Sequence, residues 1–199
     1  MMSKMVYAIE GLDRLGKSTL IEGIREKQGY YEVIHFGKPQ RLEFYQNSSS
    51  RFFDEKSYET QDIQNPELFF YQRESFVNSM IMARSGARLI FDRWHLGEAV
   101  YAPLYRGYSG DYVFGIERLH RMDACHSVRL ILLTEDFKVS KHFIDDGESF
   151  DVTKREQEQE MFIAAFERSI IPDKRIICVT DRDLGGFKPK SQILAEALE

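Results

Sequence analysis

Cysteine is scarce in this chain: Cys125 and Cys178 are the two among 199 residues, far apart and without metal-ligand spacing. That excludes a disulfide-built scaffold and a cysteine zinc site, and it suits a reducing, cytoplasmic compartment. No apolar run approaches the length that spans a bilayer, so no membrane partner is expected. The first strand follows the N-terminus almost at once, and no signal peptide is expected. Positive charge is not in excess, since 27 Lys and Arg against 32 Asp and Glu give a formal net charge of −5. A broad sequence-independent nucleic-acid surface is therefore disfavoured, although a local groove is not, and free nucleotide is favoured over nucleic acid. There is no internal repeat; Ser48-Ser49-Ser50 reads as a loop beside Asn47, a sequon expected to be silent in the cytosol. With 43% hydrophobic and 30% charged residues, the length fits one domain, residues 1–199, with a sizeable core.

What the chain does have is Ala8-Ile9-Glu10-Gly11-Leu12-Asp13-Arg14-Leu15-Gly16-Lys17-Ser18-Thr19-Leu20. Gly11 to Ser18 fit G-x-x-x-x-G-K-[ST], the phosphate-binding P-loop. Tyr7, Ala8 and Ile9 end an apolar strand, and Leu20, Ile21 and Ile24 recur with helical spacing, so strand, loop and helix come in the required order. Glycines let the backbone wrap a polyphosphate, and the N–H groups opening the helix meet the anion with the positive end of the dipole. Gly11, Leu15, Gly16, Lys17, Ser18 and Thr19 are thus the candidate ATP-binding residues. Lys17 would reach the β- and γ-phosphates and the Ser18 hydroxyl would ligate Mg²⁺. A chance glycine turn before a helix is the bland alternative, and the flanks argue against it.

The remaining chain alternates. Glu32 to Phe36, Arg88 to Phe91, Val128 to Leu133 and Arg175 to Val179 read as further strands. Asn65-Pro66 predicts a helix start, with Phe69, Arg73, Phe76 and Met80 on one face and a stop at Gly86. Val113, Ile116 and Leu119 have helical spacing, and Pro103 limits the helix before them. Thr153 to Glu156 fits a capping box opening a helix that ends before Pro172. Residues 137–151 read as a charged flap. A last helix covers Pro189 to Leu198. The pattern predicts an α/β fold: a parallel five-stranded sheet with helices on both faces and a short lid. Ligands then gather at the carboxyl ends of the strands, where the P-loop and Asp92-Arg93 both fall.

A P-loop alone does not name a reaction. The Asn-Lys-x-Asp base-reading motif of GTPases is missing, and Asp183-Leu184-Gly185-Gly186 follows the last strand, where it reads as a turn. Asp-Arg beside a triphosphate site suits transfer to a second phosphate, because two polyanions need cations between them to line up. Arg93 would clamp the acceptor phosphate bidentately. Asp92 would order Mg²⁺ through water, or hold Arg93 and the acceptor. A structural Asp92–Arg93 ion pair at the strand end is the competing reading.

Glu10 to Ser18, followed by Phe91-Asp92-Arg93-Trp94, resembles the thymidylate kinase family, which has Gly-x-Asp-Arg-x-Gly-Lys-[Ser/Thr] and later Asp-Arg-Tyr. Phe69 with Arg73 one helical turn on is a third shared feature. The resemblance implies a P-loop kinase that uses ATP and Mg²⁺, with Arg14, Lys17, Asp92 and Arg93 catalytic. It also implies an acceptor site of Asp13 on the 3′-hydroxyl, Phe69 stacked on the base, Arg73 on a base carbonyl, Arg93 on the phosphate and Tyr101 against the sugar. Ser18 and Asp92 would face the metal. Arg14 in the P-loop, with no arginine between Phe137 and Phe150, matches the style in which the P-loop carries the catalytic arginine.

The departures fall on the base. Gly97 and Ala102 lack side chains with which the family reads a pyrimidine edge, and losing such contacts changes discrimination. ATP-dependent transfer to a deoxynucleoside monophosphate, dTMP foremost, ranks first. A deoxynucleoside kinase ranks second and a kinase of a modified deoxypyrimidine third. An ATP-binding regulatory module is the non-enzyme alternative, and Arg14, Asp92 and Arg93 argue against it. A homodimer stays open.

Overall fold

A five-stranded, wholly parallel sheet organises the molecule, in the order β2-β3-β1-β4-β5. The computed structural model describes residues 6–36, 66–140 and 152–199. The strands are β1 (Val6–Gly11), β2 (Glu32–His35), β3 (Leu89–Asp92), β4 (Val128–Thr134) and β5 (Asp173–Cys178). Every residue of β1 and of β4 is buried, so both faces of the sheet centre are covered, as the apolar runs Val6 to Ile9 and Leu130 to Leu133 require.

Helix α1 (Lys17–Gln28) crosses from β1 outward to β2, whereas α2 (Pro66–Arg84) returns to β3. From β3, α3 (His95–Tyr101), a π-helical turn at Ala102–Arg106 and α4 (Tyr112–Leu119) lead across β1 to β4. After α5 (Phe137–Ser140), α6 (Arg155–Arg168) leads to β5, and α7 (Lys190–Leu198) ends the chain behind a small hairpin of β6 (Thr180–Asp181) and β7 (Gly186–Phe187). Right-handed crossovers in opposite directions put α1 on one face and α2, α3, α4 and α6 on the other, and α7 packs beside α1. The packing agrees: α1 lies against α7, α2 against α4, and α3 against α6. Chain direction therefore switches between β1 and β3, which opens a crevice at their carboxyl ends.

Several expected boundaries move. The capping box expected at Thr153 is not what starts α6: Val152–Lys154 is a 3-10 turn, Lys154 is the N-cap, and no side-chain cap bond is made. Arg155 takes up interactions elsewhere instead. The inner face of α2 is Gln72, Phe76, Ser79, Met80 and Ala83, so Arg73 stands one position off it and is exposed. Asn65, expected to cap α2, lies outside the described residues, as do residues 141–151 of the expected flap. Pro103 does not simply stop α3; it lies within the π-turn, where the widened backbone tolerates its missing N–H. Asp183 to Gly185 lie in the turn of the β6–β7 hairpin and Gly186 opens β7, as a position after the last large strand implied.

Candidate active site

Two glycines shape the P-loop, for different reasons. Gly11 has φ +129°, and a Cβ there would come within 2.4 Å of the Leu133 carbonyl oxygen on β4. Gly16 has φ 82° at the N-cap of α1, with open space around it. The first needs glycine for both space and conformation, the second for conformation. Arg14 holds φ 68° on the crest between them.

Lys17, the first residue of α1, is nearly buried and folds back over the loop. Its ammonium donates to the carbonyl oxygens of Gly11 (3.0 Å) and Leu12 (2.5 Å), and lies 4.0 Å from the Asp13 carboxylate. Burial, and then the nearby Arg93 guanidinium, lower its pKa to about 8. A triphosphate would offer this amine the negative charge that its surroundings supply only in part. Ser18, next in sequence, is exposed at the mouth of the loop.

The end of β3 comes alongside. Register pairs Ile9 with Asp92, and the Arg93 amide donates to the Ile9 carbonyl at 2.9 Å. Arg93 then turns with φ 63° and lays its guanidinium on the Asp13 carboxylate. Asp92 faces the other way, toward β2, where one carboxylate oxygen meets His35 Nδ1 at 2.9 Å. Asp92 and Arg93 thus take separate partners, and the simple strand-end ion pair is not what forms. The other oxygen of Asp92, Oδ1, is buried without a hydrogen-bond partner among the described residues. So is Arg93 Nε. Unpaired buried groups at a strand-end crevice are costly unless something else fills them.

The wall opposite the P-loop comes from α3 and α6. Tyr101 packs edge-to-face on Phe162, ring centroids 5.6 Å apart. Burial, with the negative charges of Glu158 and Asp13, pushes its phenol well above the usual range, so it is a neutral hydroxyl. Gly97 leaves this wall thin: a Cβ there would stand 3.7 Å from both the Tyr101 ring and Glu10 Oε2. Glu10 itself is fully buried, its carboxyl raised by desolvation, and it accepts the Leu96 amide at 2.9 Å. It therefore anchors the first turn of α3 to β1.

Glu98 is a buried hub under that wall. Its Oε1 accepts the hydroxyls of Tyr108 (2.7 Å) and Tyr112 (2.8 Å), and its Oε2 pairs with Arg106. Burial and the Glu98 charge hold both phenols neutral. His95 is likewise structural: its Nε2 lies 2.5 Å from Glu117 in a fully buried pair.

On the far side of the P-loop a cleft of about 520 Å³ opens between α1 and α7. Arg14, Gly16 and Thr19 line one side, with Phe187, Lys188 and Ser191 on the other. The structure thus brings Asp13, Arg14, Lys17, Ser18, Asp92, Arg93 and Tyr101 to one edge of the sheet. Arg73 is exposed on α2, 3.6 Å from Glu74, and the side chain of Phe69 lies outside the described residues. Sequence reasoning missed His35, which only strand register places beside Asp92.

A metal could be held here by few protein atoms. No group of three or more His, Cys, Asp or Glu side chains clusters for a metal among the described residues. The exposed Ser18 hydroxyl and the partnerless Asp92 Oδ1 are instead hard oxygen donors of the kind Mg²⁺ uses when phosphates and water complete its shell. Among the described residues no helix is long and apolar enough to cross a membrane.

No protein-family model matches the chain, and no curated protein does. Solved structures do. A thymidylate kinase from Candida albicans shares 19% identity and a TM-score of 0.57, over 98% of this chain and 89% of that one. The YorR protein of Bacillus subtilis, solved in complex with phosphorylated GDP, shares 16% identity and a TM-score of 0.56, over 96% and 92%. A thymidylate kinase from Ehrlichia chaffeensis shares 15% identity and a TM-score of 0.54, over 98% and 96%. The chain has the fold of thymidylate kinases and other P-loop kinases.

Proposed function

We propose that this protein transfers the γ-phosphate of ATP to the phosphate of a deoxynucleoside monophosphate, with dTMP as the foremost acceptor. The observation that carries the reading is the placement of Arg93 on Asp13, directly beside Lys17. A protein that only holds ATP needs no second guanidinium there; one that joins two phosphates does.

In this reading the cleft beside Thr19 and Phe187 takes the donor nucleoside, and its triphosphate follows the loop to Lys17. Arg14 reaches the transferring phosphoryl group. Arg93 takes the acceptor phosphate, and Asp13, relieved of part of that pairing, receives the 3′-hydroxyl. Tyr101 presses on the sugar. Mg²⁺, when bound, would neutralise charge between the β- and γ-phosphates, with Ser18 and Asp92 holding it directly or through water.

The base would be read by Phe69 and Arg73 on α2, as the resemblance implies, with the exposed Arg73 turning from Glu74 to reach it. Gly97, where the family pattern carries a side chain that reads the pyrimidine edge, would widen the acceptor range. The Candida albicans thymidylate kinase has broad substrate specificity, a property this chain would share. The test is ATP consumption with Mg²⁺ against nucleosides and nucleoside monophosphates in parallel. Consumption with monophosphates supports the reading; consumption with nucleosides alone makes the chain a deoxynucleoside kinase.

A further inference from the structure

Helix α6 begins at Arg155, and its first turn touches three walls of the site. Arg155 Nε donates to Glu135 Oε1 at 2.6 Å, and its Nη2 donates to the backbone carbonyl of Asp13 at 2.9 Å. One turn on, Glu158 accepts the Tyr105 hydroxyl from the π-turn that follows Tyr101. Glu135, just past β4, is nearly buried, and Gln159 holds its backbone at both ends: the Glu135 amide donates to Oε1 at 2.7 Å and its carbonyl accepts from Nε2 at 3.0 Å. Arg155 therefore projects from a braced base.

The carbonyl it holds belongs to the peptide that joins Asp13 to Arg14. Arg14 is in the left-handed region, φ 68°, which is unfavourable for a non-glycine residue unless its surroundings hold it. Fixing the Asp13 carbonyl fixes that peptide plane. It sets the direction of the Arg14 side chain on one side and of the Asp13 carboxylate, with its Arg93 partner, on the other.

We propose that Arg155 is a positioning residue: through the Asp13 carbonyl it holds the P-loop crest so that Arg14 faces the donor cleft and Asp13 faces Arg93. The proposal rests on the kinase reading above for its kinetic consequence, but its structural consequence does not. The planar guanidinium matters because it must reach two acceptors at fixed angles, which a single ammonium does not reproduce.

Two measurements test it. Amide hydrogen exchange of the nucleotide-free protein should be faster at residues 13–15 in Arg155→Ala than in the wild type, with β1 and β4 amides unchanged. In turnover, Arg155→Ala should lose roughly 10- to 100-fold in kcat, the scale of a small misplacement of reacting groups. KM for ATP and for the acceptor should stay within about threefold. Arg155→Lys should behave like the alanine variant, guanidinium ion should partly restore Arg155→Ala, and sodium at equal ionic strength should not. Unchanged exchange at residues 13–15 overturns the proposal whether or not the wild type turns over. A raised KM for ATP with kcat intact also overturns it, since Arg155 would then be a donor ligand. A wild type with no transfer to any monophosphate fails the kinase reading alone, and the exchange result still decides the role of Arg155.

Discussion

Arg93 and Asp13 form an ion pair between the end of β3 and the crest of the P-loop, 80 positions apart in sequence. If Arg93 receives the acceptor phosphate, Arg93→Ala should raise KM for a monophosphate acceptor at least tenfold and change KM for ATP little. Steady-state kinetics with each substrate varied in turn checks this, and an unmoved acceptor KM would place the acceptor phosphate elsewhere.

Lys17→Ala should lower kcat by at least ~100-fold, the scale of removing one preorganised charge from a transition state. Circular dichroism should show the fold kept.

The same residue gives a pH dependence. Its pKa is lowered to about 8 in the folded protein from an ordinary 10.5. Bound phosphate favours the charged form, so binding above pH 8 requires proton uptake, and ATP affinity should fall as pH rises through 8, approaching tenfold per unit. Stability moves oppositely. Between about pH 8 and 10.5 the unfolded chain holds a proton at Lys17 that the folded chain has released, so this residue makes stability rise with pH there. Calorimetric titration with ATP from pH 7 to 9.5, beside Lys17→Ala, separates this dependence from that of other groups.

Arg14→Ala should depress kcat far more than ATP affinity, because its contact is made chiefly in the transition state. Parallel losses in both would make Arg14 a ground-state ligand of the donor cleft it lines.

Much of this was legible in the chain. The glycines of the P-loop are demanded by backbone geometry, and geometry follows from local sequence; Gly11 and Gly16 are where the motif put them. The strands β1 and β4 are mostly apolar, with Val6 to Ile9 and Leu130 to Leu133 as continuous apolar runs, and such runs must be covered on both faces. Partners brought together by register or long connections left no local trace. His35 beside Asp92, and Arg155 on the Asp13 carbonyl, join residues 57 and 142 positions apart. The capping box at Thr153 failed because Arg155 and Gln159 tie the start of α6 to Glu135 instead. Tertiary bonds there outweighed a local cap.

Glu98 makes a prediction about stability. Glu98→Ala would remove the carboxylate that accepts from the hydroxyls of Tyr108 and Tyr112 and pairs with Arg106. Breaking a buried pair in this way costs about 3–5 kcal/mol. Urea unfolding should show that loss in Glu98→Ala and a smaller one in Glu98→Gln, which keeps an acceptor oxygen.

The most direct test of the proposed function is a coupled assay of ATP consumption with Mg²⁺ in the presence of dTMP, dUMP, dCMP, dGMP, a 5-hydroxymethyl deoxypyrimidine monophosphate and the corresponding nucleosides. The account predicts turnover with monophosphates, dTMP foremost, and with dUMP or the 5-substituted analogue accepted as well if Gly97 stands where a side chain would read the pyrimidine edge. ATP binding with no turnover on any monophosphate, by folded protein, would contradict it.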